Sequence, residues 1–376
     1  MRAKNKQKKF RLRNLVKWMI FATNIVVILL MISSYLSWDV SPLKTNLFSY
    51  IGLGFGFLLF INCCYLLFWI IFKKWELALI TLLSFTICYK PALTLFPLHI
   101  QTDKAPEESI KILSYNIQGL SNESKKSSNE HPILEYIADT DADIVCLQEY
   151  LVSKTGKSLI SQRDVNRILN KYPYSAITGL ESSGKYHTFG LACFSKFPIM
   201  KTKEIIFESS YNGAAVYDIK INDKIYTVAN VHLESNRITA ADKQLYNDFL
   251  QRKETVDLDV VTTNIRSKLG QAYRVRVGQV EKVKNHVSNQ TSDGLIICGD
   301  LNDTPISYSY SKMKVGLKDA FVSTGFGPGI TYHENFFLFR IDYIFHSSNI
   351  KAFQTKVDRI KWSDHYPIRT YLQLDN

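Results

Sequence analysis

Cysteine is scarce in this chain, six residues in 376, and the spacings fit neither a zinc ribbon nor a Cys-x-x-Cys redox pair. Cys146, Cys193 and Cys298 each sit inside an apolar run, where a buried free thiol is the usual case. Repeats and low-complexity tracts are missing from residue 110 onward, so that stretch reads as one ordinary domain. An excess of one charge is missing there too. The formal net charge of +12 suggests a nucleic-acid binder until the chain is divided. Residues 1–100 hold 12 Lys and Arg against Asp39 and Glu76, which leaves 34 basic against 32 acidic residues in the other 276. The basic excess lies beside long apolar runs, so it reports membrane topology and lipid contact rather than a polyanionic substrate.

Charge is absent from Trp18 to Trp38, 21 residues, enough to cross a bilayer at about 1.5 Å per residue. The run is long for the core of a cleaved signal peptide, and more apolar segments follow it. A second run, Thr45 to Phe72, is uncharged for 28 residues and must tilt or bend within a hydrocarbon core of about 30 Å. Its Gly52-x-x-x-Gly56 is a weak helix-contact signal. A third, Trp75 to Leu98, is interrupted by Lys90-Pro91 and predicts a kinked span, with Lys90 snorkelling to the headgroups. The expected organisation is therefore a basic N-terminus (1–17), an anchor of three transmembrane helices (18–98; about 18–38, 46–72 and 75–97), a linker (99–109) and a catalytic domain (110–376).

The soluble part is large enough for one α/β domain with a full core. Ile112–Asn116, Ile144–Leu147 and Gly190–Ser195 read as strands, and Ile133–Ala138 and Leu159–Leu169 as helices. Ala214–Ile221 and Lys224–Leu233 flank Asn222-Asp223, a hairpin signal. Residues 238–286 predict a helix with a break near Gly270, and strands follow at Gly294–Cys298, Ile341–Phe345 and Ile368–Leu374. Hairpins mixed with long helices predict packed sheets covered by helices, not a doubly wound parallel sheet.

Chemistry gathers where these strands end. In Gly294-Leu295-Ile296-Ile297-Cys298-Gly299-Asp300-Leu301-Asn302, Gly299 lets the backbone leave a buried strand, and Asp300 and Asn302 point the same way in extended chain. Alone, that pair is an Asx-turn. Five further apolar runs end likewise: at Asn116, at Glu149, at His232, at Asp342 and at Asp364-His365. Singly, Glu149 or Asp342 is a solvated turn or salt-bridge partner, and His232 a satisfied core histidine. Together they supply four carboxylates, two amides and two imidazoles, a set suited to a hard, oxygen-preferring dication and a water nucleophile.

With these motifs in hand, the chain resembles the endonuclease/exonuclease/phosphatase superfamily, which includes pancreatic deoxyribonuclease, apurinic endonucleases, bacterial sphingomyelinases and inositol-polyphosphate phosphatases. The matching segments are Ser114-Tyr115-Asn116, Leu147-Gln148-Glu149, Asn230-Val231-His232-Leu233, Gly299-Asp300-Leu301-Asn302-Asp303, Arg340-Ile341-Asp342-Tyr343-Ile344 and Ser363-Asp364-His365-Tyr366-Pro367-Ile368, in the family's order. The resemblance implies an α/β (α+β) four-layer sandwich, two packed mixed β-sheets flanked by helices. It also implies an Mg²⁺-dependent phosphoester hydrolase, with Mn²⁺ as an alternative ion. It does not extend to the membrane runs.

The roles it implies are specific. Glu149 is the principal metal ligand, helped by Asn116, and Asp364 is a second ligand or an orienting group. Asp300 is the general base, and Asn302 holds the attacking water or a non-bridging oxygen. His232 and His365 donate to phosphate oxygens, and Asp342 holds His365 protonated and oriented. Tyr186 is a positional candidate for the tyrosine some family nucleases use, and neighbouring His187 is a substrate contact or a surface-loop residue. Arg340 reaches a phosphate or forms a structural salt bridge. Ser307-Tyr308-Ser309-Tyr310 lines the cleft or caps the next helix. Arg274, Arg276, Lys282 and Lys284 share a helix and read as a basic groove or as a solvated face.

Three functions are compatible with this reading: a membrane-tethered phosphodiesterase or nuclease, a phospholipid or sphingomyelin-like phosphodiesterase, and a non-catalytic anchored binding protein. The near-neutral domain offers no obvious groove for nucleic acid. Eight basic residues precede the first run, Lys44 alone lies between the first and second, and Lys73-Lys74 separate the second from the third. The positive-inside rule then predicts a multi-pass protein of the cytoplasmic membrane with its N-terminus inside and its catalytic domain outside. A reporter active only outside the cytoplasm, fused after Asn376, is expected to be active. Activity of a cytoplasm-only reporter at the same point would mean that Trp75–Leu98 does not cross.

Overall fold

A computed structural model describes residues 2–100, 103–120, 131–154, 160–180, 183–239, 242, 258–334 and 338–375. Two compact units result, Met1–Leu95 with Ile306–Tyr308, and Phe96–Pro305 with Ser309–Asn376.

In the first unit α1 (Arg2–Ser33) runs into a 3₁₀ turn (Ser34–Trp38), and Asn14–Trp38 is long and apolar enough to cross a membrane, 25 residues at mean hydropathy 2.3. The expected second and third spans are not single helices. Helices α2 (Leu47–Leu53) and α3 (Phe55–Ile71) meet at 60° around Gly54, and α4 (Trp75–Ile87) and α5 (Tyr89–Leu95) at 67° around Cys88. Pro91 explains the second bend. Proline lacks an N–H and its ring crowds the carbonyl four residues back, so α4 closes at Ile87 and Pro91 falls in the first turn of α5.

Polarity in this unit is inverted relative to a water-soluble protein. Asn24 Oδ1 accepts from Trp69 Nε1 at 2.9 Å and from the Thr81 hydroxyl at 2.8 Å. Its amide donates to Asn62 Oδ1, and Asn62 donates in turn to the Ser84 hydroxyl. All of these side chains are buried, whereas Leu29, Phe57, Phe60, Leu79 and Leu83 face outward. Interhelical amides inside and large apolar side chains outside are the pattern expected of helices packed in lipid.

Among the described residues the second unit carries twelve strands: β1 (Ile110–Asn116), β2 (Ile144–Ser153), β3 (Tyr174–Gly179), β4 (His187–Ser195), β5 (Ile199–Ile206), β6 (Gly213–Ile221), β7 (Lys224–His232), β8 (Gly294–Asp300), β9 (Leu317–Asp319), β10 (Asp342–Ser347), β11 (Lys351–Val357) and β12 (Ile368–Gln373). They form two six-stranded mixed sheets, ordered β11-β12-β1-β2-β4-β3 and β5-β6-β7-β8-β10-β9. Among the described strands, β1–β2 and β7–β8 pair in parallel and the other named pairs are antiparallel. The expected hairpin is present, with Asn222 at φ 55° in its two-residue turn.

Helices α6 (Pro132–Thr140) and α7 (Gln162–Ile168) accompany the first sheet and α8 (Leu258–Ser288) the second. The short helices α9 (Tyr308–Met313) and α10 (Ala320–Thr324) follow β8 and β9. Three apolar layers hold the sandwich. One lies between the sheets and includes Ile112, Ile144, Tyr217, Val228 and Ile344. A second packs Ile133, Leu134, Ile137 and Val165 of α6 and α7 on the outer face of the first sheet. The third packs Val280, Val283 and Val287 of α8 on the second. Cys146, Cys193 and Cys298 lie in the central layer as free thiols, none more than 1% exposed.

Helix α8 continues through Gly270 without the expected break, because its buried stripe continues across that point through Leu269, Ala272, Tyr273 and Arg276. Residues 240–241 and 243–257 of the expected helix lie outside the described residues. Leu98 bridges Phe326, and the His99 N–H donates to the Gly325 carbonyl at 3.2 Å, so the start of the expected linker is already part of this unit.

Gly299 carries a strict steric demand. Its φ is 133°, and a Cβ would lie 2.0 Å from the Val231 carbonyl oxygen of β7. Gly278 of α8 is the opposite case, since a Cβ there meets nothing within 4 Å. Gly299→Ala is expected to destabilise the full-length protein in detergent by about 3 kcal/mol or more, through overpacking and backbone strain. Gly278→Ala should stabilise it by about 0.5–1 kcal/mol. Denaturant unfolding followed by tryptophan fluorescence measures both, and equal effects would contradict the packing described at Gly299.

Candidate active site

Each predicted strand-end residue is delivered by pairing. In the second sheet His232 of β7 stands opposite Asp300 of β8, and Asp300 stands opposite Asp342 of β10. The three therefore share one register row. The first sheet supplies Asn116 from the end of β1 and Glu149 from β2. Between Leu147 and Tyr150 the pairing of β2 with β4 shifts, so two residues, Gln148 and Glu149, oppose one. Glu149 takes φ 51° in this bulge, which re-aims its side chain. Gln148 points inward, and its amide donates to Asn230 Oδ1 of β7 at 2.6 Å, tying the sheets together directly behind the site.

Asp300 Oδ2 is the meeting point. It accepts from Asn116 Nδ2 at 3.1 Å and from Asn302 Nδ2 at 3.2 Å. His232 Nε2 and His365 Nε2 each lie 3.7 Å from it. Asp300 Oδ1 accepts from the Asn302 N–H at 2.7 Å, the Asx-turn geometry, and Asn302 sits at φ 51°. Asn116 Nδ2 also donates to Glu149 Oε1 at 3.1 Å, and His232 Nε2 lies 3.6 Å from that same oxygen. His365 Nδ1 is 2.8 Å from Asp342 Oδ2. Thus eight of the expected residues are brought to one edge: Asn116, Glu149, His232, Asp300, Asn302, Asp342 and His365, with Asp364 next in chain.

Burial sets the proton affinities. Desolvation, reinforced by the charge of Asp342, pushes the Asp300 carboxyl up to about 6, although His365 and His232 pull the other way. For His365, burial works against the charge, but the carboxylates of Asp342 and Asp300 outweigh it and raise the imidazole to about 10. Asp364 is raised by burial; His365 lowers it, and the charges of Glu149 and Glu334 raise it.

Ligand atoms of Asp300, Asp342 and His365 lie within 4.8 Å of one another, as in a metal site. A protonated imidazole already bonded to Asp342 has no lone pair to offer, so this trio is a poor cation ligand set. Glu149 and Asp364 fit a hard dication better. Their oxygen donors are close enough to repel one another, and Glu149 is only 31% exposed.

Of the expected substrate contacts, Arg340 is not brought there. Arg340 precedes β10, so period-two alternation does not carry it to the face of Asp342. Its guanidinium is fully buried, 3.9 Å from Asp319 Oδ2 and stacked over Phe321 at 4.8 Å, the structural alternative. Tyr186 is 63% exposed on the turn before β4, with the Lys185 ammonium 5.6 Å over its ring. His187 beside it pairs with Ser153 as the first residue of β4. Ser309 donates to Asp303 Oδ2 and Tyr310 to Asp319, so this part of the Ser-Tyr run is structural.

The basic cluster on α8 divides: Arg274 is exposed, Lys282 and Lys284 reach Glu208 and the Val315 carbonyl, and Arg276 is wholly buried. Thr331 was not legible in the sequence at all. Its hydroxyl accepts from the Ile341 and Asp342 N–H groups, and its carbonyl accepts from the Tyr366 N–H at 2.6 Å. The adjacent Tyr332 ring stands edge-on to His365, 5.1 Å away.

The family model described as Endonuclease/Exonuclease/phosphatase family matches residues 113–365. A second, described as a domain of unknown function, matches residues 17–95. No curated protein matches the chain. Among solved structures, an endonuclease/exonuclease/phosphatase from Beutenbergia cavernae is similar at 14% identity and a TM-score of 0.51, over 71% of this chain and 72% of that one. The catalytic domain of human Nocturnin, with bound sulfate, is similar at 18% and 0.51, over 74% and 99%. ANGEL2, described as a 2′,3′-cyclic phosphatase and solved with adenosine-2′,3′-vanadate, is similar at 16% and 0.51, over 74% and 99%. At these identities the likeness is one of fold.

The Asp342–His365 contact generates a prediction. Asp342→Asn should keep the shape, lose the charge that sustains the imidazolium, and lower kcat/KM on an aryl phosphodiester about 100-fold or more. His365→Ala should fall at least as far, and the double variant little further, because residues acting as a unit are non-additive. The alkaline limb of the wild-type profile, near pH 10 from the raised His365, should move down in Asp342→Asn. Multiplying losses and an unmoved limb would reassign Asp342 to metal or substrate.

Proposed function

Since the chain belongs to the endonuclease/exonuclease/phosphatase family, as the match over residues 113–365 shows, we propose that it is a membrane-anchored, metal-dependent phosphodiesterase. The observation that carries this reading is the buried Asp300 carboxylate, raised to about 6, between two imidazoles and two amides. Asp300 takes the proton of the attacking water, and its raised affinity suits a base working near neutral pH. Asn302 holds that water, or a non-bridging oxygen, in line. His365, kept protonated by Asp342, and His232 donate to the phosphate oxygens as negative charge grows on them. Glu149 and Asp364, with Asn116 beside them, would hold Mg²⁺ or Mn²⁺, which when bound polarises a phosphoryl oxygen and stabilises charge on the leaving group.

The first unit supports a multi-pass anchor in the cytoplasmic membrane, with each bent pair as one span, because its amides point inward and its large apolar side chains outward. That same observation favours a lipid phosphodiester as substrate over nucleic acid, and the near-neutral charge after residue 100 points the same way. A dead binding protein is disfavoured by the intact catalytic set.

Full-length protein in detergent, stripped of metal, is expected to be inactive toward aryl phosphodiesters, phosphomonoesters, DNA, RNA and phospholipid vesicles. Adding Mg²⁺ or Mn²⁺ should restore turnover, with the phospholipid arm highest. Glu149→Gln should need about tenfold more metal for half-activation. Full turnover in excess chelator, with metal verified absent, would remove the metal from this reading.

A further inference from the structure

Helix α8 carries one residue that its packing does not call for. Its buried face is built from Ala272, Val277, Val280, Val283 and Val287, yet Arg276 lies among them with no exposed side-chain surface. An apolar residue of similar volume would pack there without the cost of desolvating a guanidinium. Arg276 Nη1 donates to three oxygens: the Glu234 carbonyl at 2.8 Å, Asn236 Oδ1 at 3.0 Å and the Asn302 carbonyl at 2.8 Å. Its Nε stands 3.3 Å from Asp303 Oδ2, an oxygen that also accepts from Ser309. One turn further on, buried Gln279 accepts the Glu234 N–H through Oε1 at 2.8 Å. These acceptors belong to two loops. Residues 233–236 follow His232 from β7, and residues 301–303 follow Asp300 from β8. Asn302 holds a left-handed φ of 51°, a conformation asparagine adopts more readily than most residues, and its carbonyl is one of those Arg276 takes.

We propose that Arg276 is a positioning residue for the reaction: its guanidinium clamps the two loops together and holds Asn302 in the backbone conformation that presents its amide to Asp300. The proposal rests on the functional reading above for its kinetic consequence, but not for the clamp itself. Nη1 alone reaches both loops while Nε adds Asp303 of the second, so Lys, with one nitrogen on a shorter side chain, cannot keep all of these contacts at once.

The test uses the full-length protein in detergent, with Arg276→Met, Arg276→Lys and Arg276→Ala. Val283→Ala serves as a control that truncates the same buried helix face away from the site. Aryl phosphodiester kinetics, unfolding midpoints and amide hydrogen exchange are measured on each. Arg276→Met is expected to lower kcat about 100-fold, the scale of a misplacement of about 1 Å, with KM changed less than about threefold. Arg276→Lys should stay at least about tenfold down. Methylguanidinium should recover Arg276→Ala several-fold and leave Val283→Ala unmoved. Exchange should speed up at residues 233–236 and 301–303 in the Arg276 variants and not in the control. If Arg276→Met loses no more kcat than Val283→Ala at a matched fall in midpoint, or if exchange in both loops is unchanged, the clamp is wrong. Should Arg276→Met fail to fold, Arg276→Lys and the methylguanidinium rescue decide. If the wild type cleaves no phosphoester, the functional reading fails, while the exchange comparison still decides the clamp.

Discussion

In the second sheet, main-chain hydrogen bonding places His232, Asp300 and Asp342 on three neighbouring strands in one row. Beside that row β7 and β8 approach closely at Gly299, where the Val231 carbonyl occupies the space a side chain would need. A slip of one residue in either pairing would turn one of these side chains to the other face of the sheet. The catalytic edge is therefore specified by backbone sterics before any side-chain contact forms. The first sheet adds its part by a different device, a bulge that turns Glu149 out of the ladder.

What the row brings together is costly, and the surroundings show how the cost is met. Asp300 and Asp342 are each about 1% exposed, and the charge of Asp342 helps to raise the proton affinity of Asp300. His365 lies between them and takes up a proton, which lets two buried carboxylates coexist. Amides supply the remaining donors, from buried Asn116 and half-buried Asn302. Apolar replacement of any one member would leave its partners buried and unpaired, so the set stands or falls together.

Much of this was legible in the sequence, and the reason is physical. A polar residue ending an apolar run is conspicuous, so Asn116, Glu149, His232, Asp300, Asp342 and His365 were found, and the hairpin at Asn222-Asp223 announced its pairing. Residues whose role depends on tertiary position were not legible. Arg276 looked like one of four basic residues on a helix, because charge alone does not reveal that its turn faces a sheet. Thr331 has no motif, since its importance lies in a hydroxyl that caps two N–H groups of a distant strand. For Arg340 the sequence left a phosphate contact and a structural salt bridge both open, because residue type alone does not say which way a guanidinium turns, and it lies buried beside Asp319. The bends in the second and third apolar runs were only partly visible, because composition gives the length of a run and not its straightness.

The three thiols between the sheets have a kinetic meaning. Cys146 and Cys193 are register partners on β2 and β4, Cys298 lies on β8 of the opposite sheet, and none is more than 1% exposed. A water-soluble alkylating reagent reaches them only when the sandwich parts. Their modification rate at saturating reagent is therefore the rate at which the two sheets separate, and at low reagent it reports the population of the separated state. Natural residues of the core thus record its opening without any introduced label.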